Sequence, residues 1–383
     1  MAHHCTVFSQ LLRILPRHQF EDAARRHHQG RGLRSIRRWD QFVALVTGQL
    51  TGRASLRDLV ANLAAQGSKL YHLGARVVRR SSLARVNRDQ PASLYQEVFR
   101  TLLLRTQRQA PRHSLRLPGK LISLDATFIQ MTASLFPWAK YTATKGAIKL
   151  HVGLDHDGHL PVFLSMTDGH QHETRWAQTL DLPAGSLVVF DRGFYQYSFF
   201  NQLNQNEIRF VTRWRRDLVG TVLKRHEVPA GTGVTSDHTV RLEGAGARRY
   251  GLVLRRIGYR DPDTGRHFHF LTNATDLDAF TVARVYKERW QIELFFKWIK
   301  QNLRIKTFLG TSPNAVLTQI WIALAVYVML AYLRFLATSG WSLTKILRLL
   351  QLNLFERRSL MDLLQPEPPP PQYLSPQLVL ALP

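Results

Sequence analysis

Four polar side chains recur along one stripe of the segment from Tyr286 to Lys300, YKERWQIELFFKWIK. In an α-helix, at about 100° per residue, Tyr286, Arg289, Glu293 and Lys300 fall within about a 60° arc. One carboxylate among two cations and a phenol suits a metal-held phosphate, because the acid can bind a hard cation while Arg and Lys bind phosphate oxygens. The alternative is the solvated face of an ordinary amphipathic helix.

Two aspartates upstream favour the chemical interpretation. Asp125 lies in LISLDATFI, and Asp191 ends the apolar run LVVF, after which Arg192 and Gly193 indicate a turn. Each acid is therefore expected where a strand ends, and ligands of open α/β sheets gather at such strand ends. Either Asp alone is more typical of a helix cap or a turn. Together with Glu293, they predict three carboxylates that can hold two divalent ions.

These motifs resemble those of DDE transposases of insertion sequences, in the family marked by a Tyr-x2-Arg-x3-Glu-x6-Lys signature. The resemblance covers residues 118–335 with specific motifs. It implies a catalytic triad of Asp125, Asp191 and Glu293 that ligates two Mg²⁺ (or Mn²⁺) ions. It also implies contacts with DNA phosphates by four residues: Tyr286, Arg289, Lys300 and Arg192.

The resemblance further implies cut-and-paste transposition, in which one site nicks the element end and joins the freed 3′-hydroxyl to target DNA. The partners would be double-stranded DNA, as terminal inverted repeats and as target, bound by a homodimer. The protein would act in the cytoplasm, on the nucleoid. Two alternatives stay open: a metal-dependent DNA nuclease or recombinase that moves no element, and a DNA-binding regulator with an inert catalytic domain. The three intact acids argue against the regulator.

The charge of the chain implies a polyanionic partner. The net charge is +25 and the pI is about 10.9. Residues 1–120 contain 22 Lys and Arg against 6 Asp and Glu, so the front of the chain is the favoured docking surface. The single cysteine, Cys5, excludes an internal disulfide framework and a Cys-rich zinc module, as expected in a reducing cytoplasm. The first residues lack the pattern of a secretory signal.

Helical periodicity predicts an all-helical DNA-binding domain over residues 1–110, followed by a linker at 111–119. The stretch from Ser55 to Arg88 is typical of a helix-turn-helix-like unit that ends in a basic segment. Five arginines there would contact phosphates or base edges: Arg76, Arg79, Arg80, Arg85 and Arg88. The alternative is an ordinary basic helical bundle.

From residue 120 the periodicity changes to strands, expected at 121–129, 147–155, 160–166, 187–191 and 208–212, with helices at about 173–180 and 197–205. This order matches an α/β core with a mixed, ribonuclease H-like sheet, at residues 120–213 and 273–335. The first and fourth strands contain the two aspartates. The motif DGHQHE, residues 168–173, is expected to cap a helix, with a metal role for His170 or His172 as the alternative.

A β-rich insertion is expected at residues 214–272. Trp214, flanked by arginines, is the favoured residue for stacking on a base, with Phe268 and Phe270 as other candidates, although strand aromatics are more often core. Further on, 14 apolar or aromatic residues from Ile320 to Leu333 are too few for a membrane span and predict a buried helix packed against the sheet. C-terminal helices at 336–365 and a Pro-rich tail at 366–383 follow.

Overall fold

The computed structural model describes residues 5–139, 145–228, 230–337 and 339–365, so the Pro-rich tail lies outside the described residues. Within these ranges one sheet has the strand order β3-β2-β1-β4-β5-β9-β8-β7-β6. Its strands are β1 (Leu121–Thr132), β2 (Lys145–Asp155), β3 (Leu160–Asp168), β4 (Leu187–Phe190), β5 (Arg209–Arg213), β6 (Gly220–Arg225), β7 (Val234–Leu242), β8 (Val253–Arg260) and β9 (His267–Thr272).

Helices precede, interrupt and follow the sheet. Before it lie α1 (Val7–Leu12), α2 (Arg17–Arg26), α3 (Arg38–Leu50), α4 (Leu56–Ala65), α5 (Gly67–Leu70), α6 (Arg80–Asp89) and α7 (Ser93–Gln107). Among and after the strands lie α8 (Glu173–Ala177), α9 (Tyr197–Gln205), α10 (Ala245–Arg248), α11 (Ala279–Glu288), α12 (Trp290–Asn302), α13 (Pro313–Leu336), α14 (Leu343–Asn353) and α15 (Leu360–Leu363).

The first five strands form the mixed core that the sequence predicts. β1 pairs antiparallel with β2 and parallel with β4, and β4 pairs parallel with β5. The expected α/β, ribonuclease H-like class with an all-helical N-terminal region is confirmed. The strands expected at 214–272 are present too. Because β9 pairs with β5, they extend the same sheet.

Asp125 does not end its strand, as the sequence suggested, but lies inside the 12-residue β1. The reason is that β1 has two partners of different lengths. Its parallel pairing with β4 stops at Leu124, opposite Phe190, whereas its antiparallel pairing with β2 continues to Thr132. Asp125 therefore marks the end of one pairing rather than the end of the strand.

The apolar helix α13 joins the front and the back of the chain. Ser312 caps it, accepting a hydrogen bond from the backbone N–H of Ala315 at 3.3 Å. By length and composition α13 could cross a membrane, but 89% of its apolar window is buried inside the protein. It packs against α3, α6 and α7 and shares their hydrophobic core with residues of β1 and β2. The predicted buried helix is confirmed.

A buried ion pair connects β7 to β8. Nε and Nη2 of Arg255 lie 2.8 and 2.5 Å from the two carboxylate oxygens of Asp237, and the side chains are 11% and 3% exposed. Asp237→Ala would leave a buried guanidinium without its acid, so we expect a loss of about 3 kcal/mol in the free energy of unfolding, measured with urea.

Asp217→Ala is the matched control, because its pair with Arg215 is exposed to solvent and such pairs contribute little to stability. Equal losses in the two variants would contradict the assigned role of the buried pair.

Candidate active site

Asp125 and Asp191 occupy matching positions on neighbouring parallel strands. Leu124 of β1 is opposite Phe190 of β4. Asp125 is the next residue of β1, and Asp191 directly follows the last residue of β4. Neighbouring strands lie about 4.8 Å apart, and matching positions of a parallel pair face the same side of the sheet. The two carboxylates are therefore brought side by side by the strand register.

Arg289 joins the third acid to this pair. The segment expected as one helix is two, since α11 ends at Glu288 and α12 begins at Trp290. From the junction, Nη1 of Arg289 lies 3.4 Å from Oδ2 of Asp125, and Nη2 contacts the carboxylate of Glu293. One guanidinium thus spans acids that are far apart in the sequence. The side chains of Arg289 and Asp125 are only 14% and 19% exposed.

The other two stripe residues flank this contact. The ring of Tyr286 lies 5.0 Å from that of Phe270 and 5.9 Å from the guanidinium of Arg289. The ammonium group of Lys300 donates a hydrogen bond to Oγ1 of Thr127 on β1. Burial lowers the pKa of Lys300, and the charge of Lys306 lowers it further. The stripe therefore faces the part of the sheet that contains Asp125.

The surroundings of Asp125 disfavour its negative charge. Burial raises the pKa of Asp125 to about 7, against a backbone N–H of Ala126 that lowers it, and the charges of Asp191 and Glu173 add to the rise. Near neutral pH, a large part of this carboxyl group is therefore protonated. A divalent cation would favour its ionised form, and carboxylate oxygens are the ligands that Mg²⁺ and Mn²⁺ prefer.

In the present arrangement, Arg289 balances the charges of Asp125 and Glu293. Among the described residues, no three His, Cys, Asp or Glu side chains are placed to hold a metal ion. The carboxylates of Asp125 and Glu293 instead share the guanidinium. The carboxylates of Asp125 and Glu293 fit a divalent ion by charge and chemistry once the guanidinium of Arg289 has moved from between them.

Glu173 is a fourth carboxylate at the site, which the sequence did not indicate. A Cβ atom added to Gly193 would lie 2.6 Å from Oε2 of Glu173 and 3.0 Å from Oδ1 of Asp191, so the two acids meet across this glycine. Nζ of Lys149 lies 2.9 Å from Oε1 of Glu173. The sequence suggested that DGHQHE caps a helix, with a metal role for His170 or His172 as the alternative, but no side chain caps α8. Asp168 instead accepts the backbone N–H of His170 at 3.1 Å, in the turn before α8.

We expect Mn²⁺ to raise the melting temperature more at about pH 8 than at about pH 6, because protons compete with the ion for Asp125. Without metal, the folded state binds more protons than the unfolded state between about pH 4 and pH 7, so this carboxyl group lowers stability as the pH rises through that range. A bound ion opposes that loss. Thermal scans with and without Mn²⁺ measure the difference.

The Asp125→Asn variant is the control and should lose the pH dependence of the Mn²⁺ shift. A shift of the same size at both pH values in the unaltered protein would refute the expectation.

The remaining predicted residues lie around the site or away from it. Arg192 is exposed in the short turn after Asp191, whose side chain accepts the backbone N–H of Gly193 at 2.8 Å. Five exposed arginines lie on or just before α6: Arg76, Arg79, Arg80, Arg85 and Arg88. Two of them have side-chain partners nearby, Ser35 for Arg85 and Asp89 for Arg88.

Two candidates for base stacking, Trp214 and Phe268, are both half-buried but differ in the surface that they line. Trp214 is half-buried against the core, and the guanidinium of Arg256 lies 5.3 Å from its ring. Phe268 is packed in the same way, with the guanidinium of Arg213 5.2 Å from its ring. It also lines a cavity of about 600 Å³ that includes Tyr286, Arg289 and the exposed Trp290. An aromatic cavity thus adjoins the candidate acids.

Known proteins resemble this chain over most of its length. The family model described as "Transposase DDE domain" matches residues 116–329, and a domain of unknown function, DUF4372, matches residues 3–76. The putative transposase y4zB of Sinorhizobium fredii is 31% identical over 299 residues, 77% of this chain and 83% of that protein. The probable transposase for insertion sequence element IS5377 of Geobacillus stearothermophilus is 28% identical, over 66% of this chain and 67% of that protein.

A solved structure also resembles the chain, namely a piggyBac transposase synaptic complex with hairpin DNA. The TM-score is 0.47 at 12% identity, over 93% of this chain and 80% of that one.

Proposed function

The chain belongs to the transposase DDE domain family, and from this membership we propose that Asp125, Asp191 and Glu293 are the catalytic acids of an insertion-sequence transposase. As a member, it cleaves and transfers DNA strands and depends on divalent metal ions. The observation that supports the triad most directly is the Arg289 guanidinium, which contacts Glu293 and Asp125 beside Asp191. We further propose cut-and-paste movement.

We assign Tyr286, Arg289, Glu293 and Lys300 to the Tyr-x2-Arg-x3-Glu-x6-Lys signature. Two Mg²⁺ or Mn²⁺ ions, when bound, would activate the attacking oxygen of water or of a 3′-hydroxyl and stabilise the leaving oxygen. The ionised carboxylates of Asp125, Asp191 and Glu293 would hold these metal ions.

The cationic residues of the site orient the DNA. Arg289, released from Asp125 and Glu293, would donate to the non-bridging oxygens of the scissile phosphate. Lys300 and the exposed Arg192 would neutralise neighbouring phosphates, and the hydroxyl group of Tyr286 would hydrogen-bond to the DNA backbone. Positioning and charge neutralisation are then the main contributions of the protein to phosphoryl transfer.

Recognition of the element ends would use the basic front of the chain. The exposed arginines at 76, 79, 80, 85 and 88 are available to contact terminal inverted repeats. A homodimer bridging the two ends, in the cytoplasm and on the nucleoid, completes the proposal. For base stacking, Phe268 is favoured over Trp214, because Phe268 lines the cavity beside Arg289.

The decisive experiment incubates the protein with the flanking DNA of its own gene and with Mg²⁺ or Mn²⁺. Cleaved ends that are then joined to target DNA are the expected products. Cleavage without joining would favour a nuclease or recombinase. If the protein binds DNA and yields neither product, the inert regulator would replace the transposase.

A further inference from the structure

A cavity lined by four cations lies beyond Lys300, away from the acids. Its volume is about 320 Å³, and it also includes Gly52 but no acidic residue. We call it the basic cavity, and its cations are Lys300, Arg304, Lys306 and Arg348. The last three are exposed, and within the described part of the chain they form no ion pair. Such an excess of positive charge attracts an anion.

Two buried amides fix the backbone that presents these cations. Oε1 of Gln49 accepts the backbone N–H of Arg304 at 2.8 Å, and Nε2 of Gln319 donates to the carbonyl groups of Arg304 and Thr307 at 2.6 and 2.7 Å. Both glutamines are 2% exposed. Side chains of α3 and α13 therefore fix the backbone of the loop between α12 and α13, and this backbone positions the cations Arg304 and Lys306.

The N-terminal region closes one side of the basic cavity. Gly52 has a φ of +69°, and a Cβ atom there would lie 2.9 Å from Nη2 of Arg304. The guanidinium therefore rests on the glycine at the end of α3. This contact connects the helical front of the chain to the loop that follows the catalytic helix.

The basic cavity continues into a second cavity, which favours an elongated occupant. A second cavity, of about 470 Å³, is lined by residues 127–130 of β1 and shares Lys300 and Lys306 with the basic cavity. Together the two cavities lead from the strand of Asp125 to Arg348 on α14. Cations spread over two joined cavities suit successive phosphates of a nucleic-acid strand better than a single phosphate ion.

We propose that the basic cavity binds consecutive backbone phosphates of the DNA strand adjoining the cleavage position. This inference rests on the proposed function, because it takes the acids beside Lys300 as the point of cleavage. Since the contacts are to phosphates, they contribute affinity and register without reading sequence.

The test measures binding of element-end duplex by fluorescence anisotropy, without divalent metal, between about 50 and 200 mM salt. Arg304→Gln, Lys306→Gln and Arg348→Gln together should lower the slope of log affinity against log salt by about 2 to 3. The matched control removes the same charge from exposed strand residues of β6 and β7, as Lys224→Gln, Arg225→Gln and Arg241→Gln. The single variant Arg348→Gln should lower the slope by about 1.

Neutral methylphosphonate linkages beside the cleavage position locate the contacts. They should weaken binding by the unaltered protein and leave binding by the triple variant nearly unchanged. An unchanged slope in the triple variant, or a loss no larger than in the control, would overturn the proposal. Stabilisation by inorganic phosphate together with an unchanged DNA slope would identify a small-anion site instead. Because no cleavage is needed, a failed strand-transfer assay would count against the proposed function alone.

Discussion

Asp125→Asn should reduce strand cleavage and strand transfer by at least about 10³-fold, with DNA binding nearly unchanged. The amide keeps the shape of the side chain but removes the charge that a divalent ion requires. At this position the charge is already hard to maintain, because burial and the adjoining Asp191 and Glu173 favour the protonated form. An asparagine therefore costs the fold little while it removes an ion ligand. Cleavage of labelled element-end DNA with Mn²⁺ measures the effect.

Asp181→Asn is the control, since Asp181 is exposed and lies outside the site. Its activity should match that of the unaltered protein. A residual activity of more than about a tenth in Asp125→Asn would remove this residue from the triad.

Arg289→Gln should change metal binding and catalysis in opposite directions. Without DNA, the guanidinium occupies the space between Asp125 and Glu293 and competes with a divalent ion for both carboxylates. Its removal should tighten Mn²⁺ binding several-fold. Catalysis should fall by about 10² to 10³, because the variant lacks the group that stabilises the phosphate as charge develops. Titration calorimetry with Mn²⁺ and the cleavage assay give the two values.

Lys297→Gln removes one charge from the exposed side of the same helix, α12, and should change neither value much. Weaker Mn²⁺ binding in Arg289→Gln would mean that the guanidinium supports the ion site and does not compete with it. Unchanged cleavage would exclude Arg289 from phosphate binding.

Features that depend on one segment were predictable from the sequence. The run LVVF is apolar throughout because β4 is covered on both faces, and α9 begins and ends where its periodicity indicates. The length of β1 was not predictable, because it depends on β2, a partner elsewhere in the chain. The same holds for the pairing of β9 with β5.

The candidate site likewise has residues that the sequence predicted and others that it did not. Glu293 and its stripe follow from helical spacing, and Asp191 follows from the turn after its strand. Glu173 was missed because its neighbours Gly193 and Lys149 are adjacent only in three dimensions. The helix junction at Arg289 was missed as well, since the surrounding residues suit a continuous helix.

The core around α13 also bears on how the chain is made. Phe42 of α3 and Leu102 of α7 are fully buried in a cluster that includes Ile322 and Leu324 of α13. A ribosome makes the front helices about 200 residues before α13, so their apolar surfaces stay uncovered until α13 has been made. Chains that end before α13 would therefore depend on chaperones or be degraded, because α13 covers these apolar surfaces.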